Sequence, residues 1–182
     1  MENIAIFASH NGSLLETIYN KFKDKVSLVI TNNSNAPVLK KANFYNIPNF
    51  VVNSKLYTNP DKQIEKLLNK YKCKNIFLAG YMKKLSANLT NNYNIINSHP
   101  ALLPKFGGKG MYGKFVHKAV IEAKESQSGV TFHYVNENYD EGDIILQKSI
   151  KIYEGETAQE LEERIKQLEK ETVIEALNLC LK

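Results

Sequence analysis

The chain has 182 residues, 43% of them hydrophobic and 24% charged, with a formal net charge of +5 and a pI near 9.0. That composition fits one ordinary globular domain whose core would bury roughly 70% of the unfolded surface, and it excludes an intrinsically disordered chain. Every apolar run is shorter than the roughly 18 residues of a membrane span, and MENIAIF places an acid where a signal peptide needs a basic segment, so an unprocessed cytoplasmic protein with no membrane association is expected.

Along the first 100 residues, short apolar runs alternate with amphipathic stretches: 3–9 then 13–22, 26–31 then 36–45, 50–52 then 60–71, and 75–79. Strands alternating with helices predict βαβ units and a mainly parallel sheet. Asn59 before Pro60 opens the third helix, the Asn as cap and the Pro where a missing N–H costs nothing. A short strand at 95–97 leads into a long loop, 99–113, with Pro100, Pro104 and four glycines, before a helix at 114–124. Loops of that length in compact domains are usually functional. Strands at 129–135 and 144–153 flank a polar connection. Thr157-x-x-Glu160 is a capping box for a last helix with the stripe Leu161, Ile165, Leu168, Leu177 and Leu181. The expected fold is a three-layer, doubly wound α/β domain over 1–182, Rossmann-like, with ligands at the carboxyl ends of its strands.

Cys73 and Cys180 stand far apart with no metal-ligand spacing around them, so neither a disulfide framework nor a zinc site is expected. The 24 basic residues include a single arginine, Arg164. Arginine supplies most bidentate readout of bases, so a basic surface drawn to phosphorylated small molecules is a better reading than sequence-specific nucleic-acid binding.

Three places can carry chemistry. The first strand-to-helix turn, Ser9-His10-Asn11-Gly12-Ser13, can present backbone N–H groups to an anion, or it is an ordinary turn with Ser13 as N-cap. In Asn97-Ser98-His99-Pro100, Asn97 and His99 leave a strand end at i and i+2 and point the same way, a fixed amide donor beside a side chain that exchanges protons near pH 7. Asp140 lies in the acidic connection 136–143, and a carboxylate near His99 would raise the imidazole pKa. Glu137, Glu141 and Asp143 read as a solvated cluster, because the calcium-loop spacing is absent. His133 on its alternating strand reads as a core histidine slightly better than as a site residue. His10 and His117 carry no strong signal, and no metal pattern includes them.

With those residues in view, the chain resembles the folate-dependent phosphoribosylglycinamide formyltransferases of the formyltransferase superfamily. The resemblance runs over nearly the whole chain: LAGYMKKLS, NSHPALLPKF and GGKGMYG within 78–113, then TFHYVNENYDEGDIILQ and YEGETAQELEERI, in the family's order. It implies a formyl transfer from 10-formyltetrahydrofolate to the primary amine of glycinamide ribonucleotide, with no metal. By position it implies Asn97, His99 and Asp140 as the catalytic trio. Asn11, Gly12, Ser13 and Leu14 would form the substrate-phosphate loop, and Glu169 a further substrate contact. Met82, Lys83, Lys84 and Leu85, together with Asn97 and the loop Asn136, Glu137, Asn138, Tyr139 and Asp140, would hold the folate. The C-terminal half would be folate-binding and catalytic, and the N-terminal half would hold the substrate phosphate.

The chain departs from the family pattern where His10 stands for a glycine and Leu14 for an asparagine, where Ser98 replaces an apolar residue, and where a folate-contacting arginine near the third helix is missing. The alternatives are a different amine acceptor, including methionyl-tRNA, hydrolysis of the formyl-folate, or a non-catalytic folate- or nucleotide-binding module. The tRNA and hydrolysis branches resemble longer chains, and 182 residues are expected to leave no room for their extra domains. A monomer or homodimer acting on small molecules, without nucleic acid, is the implied assembly.

Overall fold

The computed structural model describes residues 2–181. Its elements in chain order are β1 (Asn3–Phe7), α1 (Leu15–Lys21), β2 (Val26–Thr31), α2 (Val38–Phe44), β3 (Asn49–Val51), α3 (Pro60–Lys70), β4 (Cys73–Leu78), α4 (Ala87–Asn92), β5 (Asn94–His99), α5 (Lys114–Glu122), β6 (Gln127–Tyr134), β7 (Ile144–Lys151) and α6 (Ala158–Cys180). The sheet has the order β3-β2-β1-β4-β5-β6-β7 and is mainly parallel, an α/β Rossmann-like architecture as expected. Among the described residues, no helix is long and apolar enough to cross a membrane.

The chain gathers into two compact units, one ending at Ile96 and recovering Leu181, the other Asn97–Cys180. In the first, β1 pairs in parallel with β2 and β4, and β2 with β3. A continuous apolar run such as Ile4-Ala5-Ile6-Phe7, wholly buried, is what a strand covered on both faces requires. Asn59 caps α3 as predicted, its side chain accepting from the Lys62 N–H at 3.0 Å with Pro60 in the first turn. In the second unit, β6 and β7 pair antiparallel. The capping box forms: Thr157 Oγ1 accepts from the Glu160 N–H, and Glu160 Oε2 accepts from the Thr157 N–H. Ala101, Val116, Val120, Leu161 and Ile165 then make a core between α5 and α6.

Three local expectations change. Ser13 does not cap α1; Leu14 holds that position without a side-chain hydrogen bond, because the turn closes through its own backbone, Leu15 N–H to Gly12 O at 3.0 Å. Helix α4 had no sequence signal, since only Leu89 of ANLTNN is buried and one apolar residue makes no stripe. Strand β5 continues to His99 rather than ending at Asn97. It lies between β4 and β6, where ladder hydrogen bonds hold a polar strand end that apolar patterning does not reveal.

Candidate active site

The end of β5 presents Asn97 and His99 on one face and Ser98 on the other, as strand alternation requires. His99 is 3% exposed. Its Nε2 lies 2.8 Å from the Phe106 carbonyl, which can only accept, so Nε2 carries the proton of the neutral ring. Nδ1 is then the basic nitrogen, and it faces Asp140 Oδ2 at 3.5 Å. A proton arriving at Nδ1 sits between ring and carboxylate. Asp140 adopts φ +57°, a backbone region that Asp tolerates better than most residues, and the Gly108 N–H donates to its Oδ2 at 2.9 Å. Gly107 packs closely beside it: a Cβ there would lie 2.5 Å from Leu103 Cδ2 and 3.2 Å from Asp140 Cβ. One turn of the loop, 106–108, therefore positions both partners.

His133, read from sequence as core, belongs to this constellation. Its Nδ1 donates to the Tyr134 carbonyl at 2.8 Å, which leaves Nε2 of the neutral ring as an acceptor, and Asn97 Nδ2 lies 3.1 Å away. The ring thus selects the Asn97 flip that points the amide nitrogen inward and leaves its second N–H for another acceptor. Asp140 Oδ1 is 3.6 Å from the same His133 Nε2, so Asn97, His133, Asp140 and His99 form one connected group. The available signal was parity. Thr131 and His133 share a face of β6, and Thr131 anchors the neighbouring loop by donating to Ala101 O and accepting from the Leu103 N–H.

The electrostatics reverse one expectation. Burial pushes the His99 imidazole below its ordinary value more strongly than Asp140 and the Phe106 carbonyl push it up, and nearby His133 adds to the lowering. The resting ring is neutral. For Asp140, burial acts to raise the carboxyl, but the neighbouring imidazoles of His133 and His99 and the Gly108 N–H together hold it below the ordinary carboxylate range.

The other predicted residues divide between the units. In the first, His10 and Asn11 are exposed while Leu14 is 1% exposed, so the loop offers outward side chains and backbone but no polar group at 14. Gly12 sits at φ +54°, and a Cβ there would lie 2.5 Å from Val38 Cγ2. Ser9 fastens this loop to its neighbours. Its hydroxyl donates to Asn32 Oδ1 and accepts from the Met82 N–H, and its carbonyl accepts from Asn33 Nδ2. That bond to Met82 joins the 9–14 loop to the 82–85 segment, in which Met82, Lys83 and Lys84 are exposed and Leu85 is buried. In the second unit, Asn136, Glu137, Asn138 and Tyr139 are exposed, with the Asn138 N–H closing on Asn136 Oδ1. Glu141 and Asp143 are exposed. Glu169 is half-buried on α6 and accepts a hydrogen bond from Ser98 Oγ.

A family model described as formyl transferase matches residues 2–177. The phosphoribosylglycinamide formyltransferase of Bacillus subtilis is 36% identical over 93% of this chain and 89% of its own length. The chloroplastic enzyme of Arabidopsis thaliana is 35% identical, and the chain spans 64% of it. The crystal structure of glycinamide ribonucleotide transformylase 1 from Geobacillus kaustophilus superposes with a TM-score of 0.90 at 34% identity over the whole of both chains. A likeness over nearly the whole of this chain is not a local one: the chain belongs to the formyl transferase family, among the phosphoribosylglycinamide formyltransferases.

Proposed function

We propose that this formyltransferase moves the formyl group of 10-formyltetrahydrofolate to the primary amine of glycinamide ribonucleotide, in the cytoplasm, with Asn97, His99 and Asp140 as its catalytic residues. The observation that carries this is the pairing of a buried neutral His99, basic at Nδ1, with an ionised Asp140 at 3.5 Å. Attack of the amine on the formyl carbon shifts the carbonyl electron pair onto oxygen. The second Asn97 N–H, held in direction by His133, can meet that charge. The attacking amine must lose a proton and the departing folate nitrogen must gain one. His99 Nδ1 takes the proton up beside Asp140, whose carboxylate stabilises the imidazolium, and returns it on collapse.

Binding is divided in the same reading. Backbone N–H groups at Asn11, Gly12 and Ser13, with Leu14 supporting the turn from the core, hold the substrate phosphate, and Glu169 receives hydroxyl donors of the substrate. Met82 to Leu85 and the exposed 136–140 loop, with Asn97, hold the pterin. A mixture of exposed Met82 and exposed amide side chains suits a flat heterocycle that has both an apolar face and hydrogen-bonding edges. The test is a transfer assay with purified protein, formyl-folate and glycinamide ribonucleotide, run beside a second amine acceptor and beside the phosphate-free riboside. Formylated ribonucleotide as the preferred product supports the reading. Equal use of the riboside removes the phosphate role of 11–14, and saturable binding without product makes the chain a binding module.

A further inference from the structure

On α6, positions 161, 165, 169, 173 and 177 recur every four residues and so share one face. Leu161, Ile165, Val173 and Leu177 are at most 1% exposed, and the fifth position of this apolar row is Glu169. A carboxylate set among buried apolar side chains is costly unless hydrogen-bonded. The protein donor to it is Ser98 Oγ–H, which meets Glu169 Oε1. Ser98 is the residue between Asn97 and His99, and alternation turns it to the opposite face of β5 from them. A single hydroxyl occupies one of several acceptor positions on a carboxylate.

We propose that Ser98 is a positioning residue: its hydroxyl fixes the Glu169 carboxylate in direction, so that the remaining acceptor positions are held out for hydroxyl donors of the substrate. This rests on the reading of Glu169 as a substrate contact. Burial pushes the Glu169 carboxyl above its ordinary value, and the Ser98 hydrogen bond acts against that rise, as do Lys166 and Lys170. Those two lysines lie on α6 itself. Of the elements packed on α6, α5 brings His117, which feels Glu162 and Lys166. From β7 comes Lys148, paired with Glu175. From β6 come His133, turned to Asn97 and Asp140, and Tyr134, which feels Cys180 and Asp143. Of the side chains that act against that rise, Ser98 is the uncharged one, and it acts through a hydrogen bond.

The test combines KM and kcat for the ribonucleotide between pH 5.5 and 8.5 with a carbon-13 titration of the Glu169 carboxyl in ligand-free protein. In Ser98→Ala the Glu169 midpoint moves to higher pH, and KM at pH 6.5 rises about tenfold while kcat stays within about twofold, the loss expected for one hydrogen bond to a charged group. Ser98→Thr keeps the hydroxyl and restores the wild-type profile. In a Glu169→Gln background, Ser98→Ala adds nothing. An unmoved Glu169 titration in Ser98→Ala, or the same KM rise in both backgrounds, overturns the proposal. An unchanged KM in Glu169→Gln alone instead removes the substrate role of Glu169, and the ligand-free titration then still reports separately whether Ser98 governs the carboxylate.

Discussion

The two places where the sequence concentrates polar residues are built in opposite ways. Around Asn97, His99, His133 and Asp140 the contacts run between side chains; both histidines are nearly inaccessible, and each has a defined partner at each nitrogen. In the 9–14 loop the side chains either face outward, as His10 and Asn11 do, or enter the core, as Leu14 does, and the backbone is what the fold holds in place through Ser9, Gly12 and Val38. A site made of side chains fails when a functional group is lost. A site made of backbone fails when the chain path is disturbed, and it tolerates changes of exposed side chains.

That contrast orders the expected effects. The largest belongs to Asp140→Asn, which keeps an acceptor for the Gly108 N–H but removes the charge facing His99 Nδ1; turnover should fall roughly 10²–10⁴-fold with the melting temperature almost unchanged. A loss of less than a few-fold breaks the side-chain half of the comparison. Next comes Gly12→Ala, which adds a Cβ only 2.5 Å from Val38 Cγ2 at a positive φ and should destabilise the protein by about 1–3 kcal/mol in urea titrations while raising KM for the ribonucleotide. Adding Val38→Ala relieves the crowding but not the φ, so recovery should be partial.

Both predictions rest on features with very different visibility in the sequence. The Asn59-Pro60 start, the Thr157 capping box and the alternation of Asn97 with His99 are local, set by neighbours within a few residues, and they are found as read. Helix α4 and the last residues of β5 are not visible, because tertiary packing and sheet pairing, rather than periodicity, hold them. His133, read as core slightly better than as a site residue, is buried and also meets Asn97 and Asp140, because parity tells which face a residue takes but not what faces it. The direction of the His99 shift was misread for a related reason: a carboxylate partner can be guessed from the chain, whereas the degree of burial that outweighs it is a property of the whole fold.

A smaller effect separates core histidines that serve the site from one that does not. His117 on α5 is 2% exposed, has no hydrogen-bond partner for Nδ1, and is lowered to about 4, chiefly by burial. The unfolded chain binds a proton near pH 6.5 and the folded one near 4, so His117 supports folding above that window and the support is lost as pH falls through it. The urea midpoint should decline between pH 6.5 and 4.5 more steeply in the wild type than in His117→Leu. Parallel profiles would mean that the ring finds a partner on protonation. Smallest of all is His10→Gly, a change of an exposed side chain whose carbonyl, already bonded to the Val38 N–H, is retained; KM should move by no more than about twofold and kcat not at all. A larger change would put side-chain chemistry into the loop and weaken the contrast.

The central claim, that proton transfer at His99 Nδ1 beside Asp140 drives formyl transfer, is tested most directly by single-turnover transfer in His99→Ala, with formyl-folate affinity measured by calorimetry on the same preparation. The account predicts a rate lower by about 10²–10⁴-fold with affinity within a few-fold of wild type, because the ring acts on the transition state rather than on binding. A transfer rate within a few-fold of wild type, or a loss explained wholly by weaker folate binding, would contradict it.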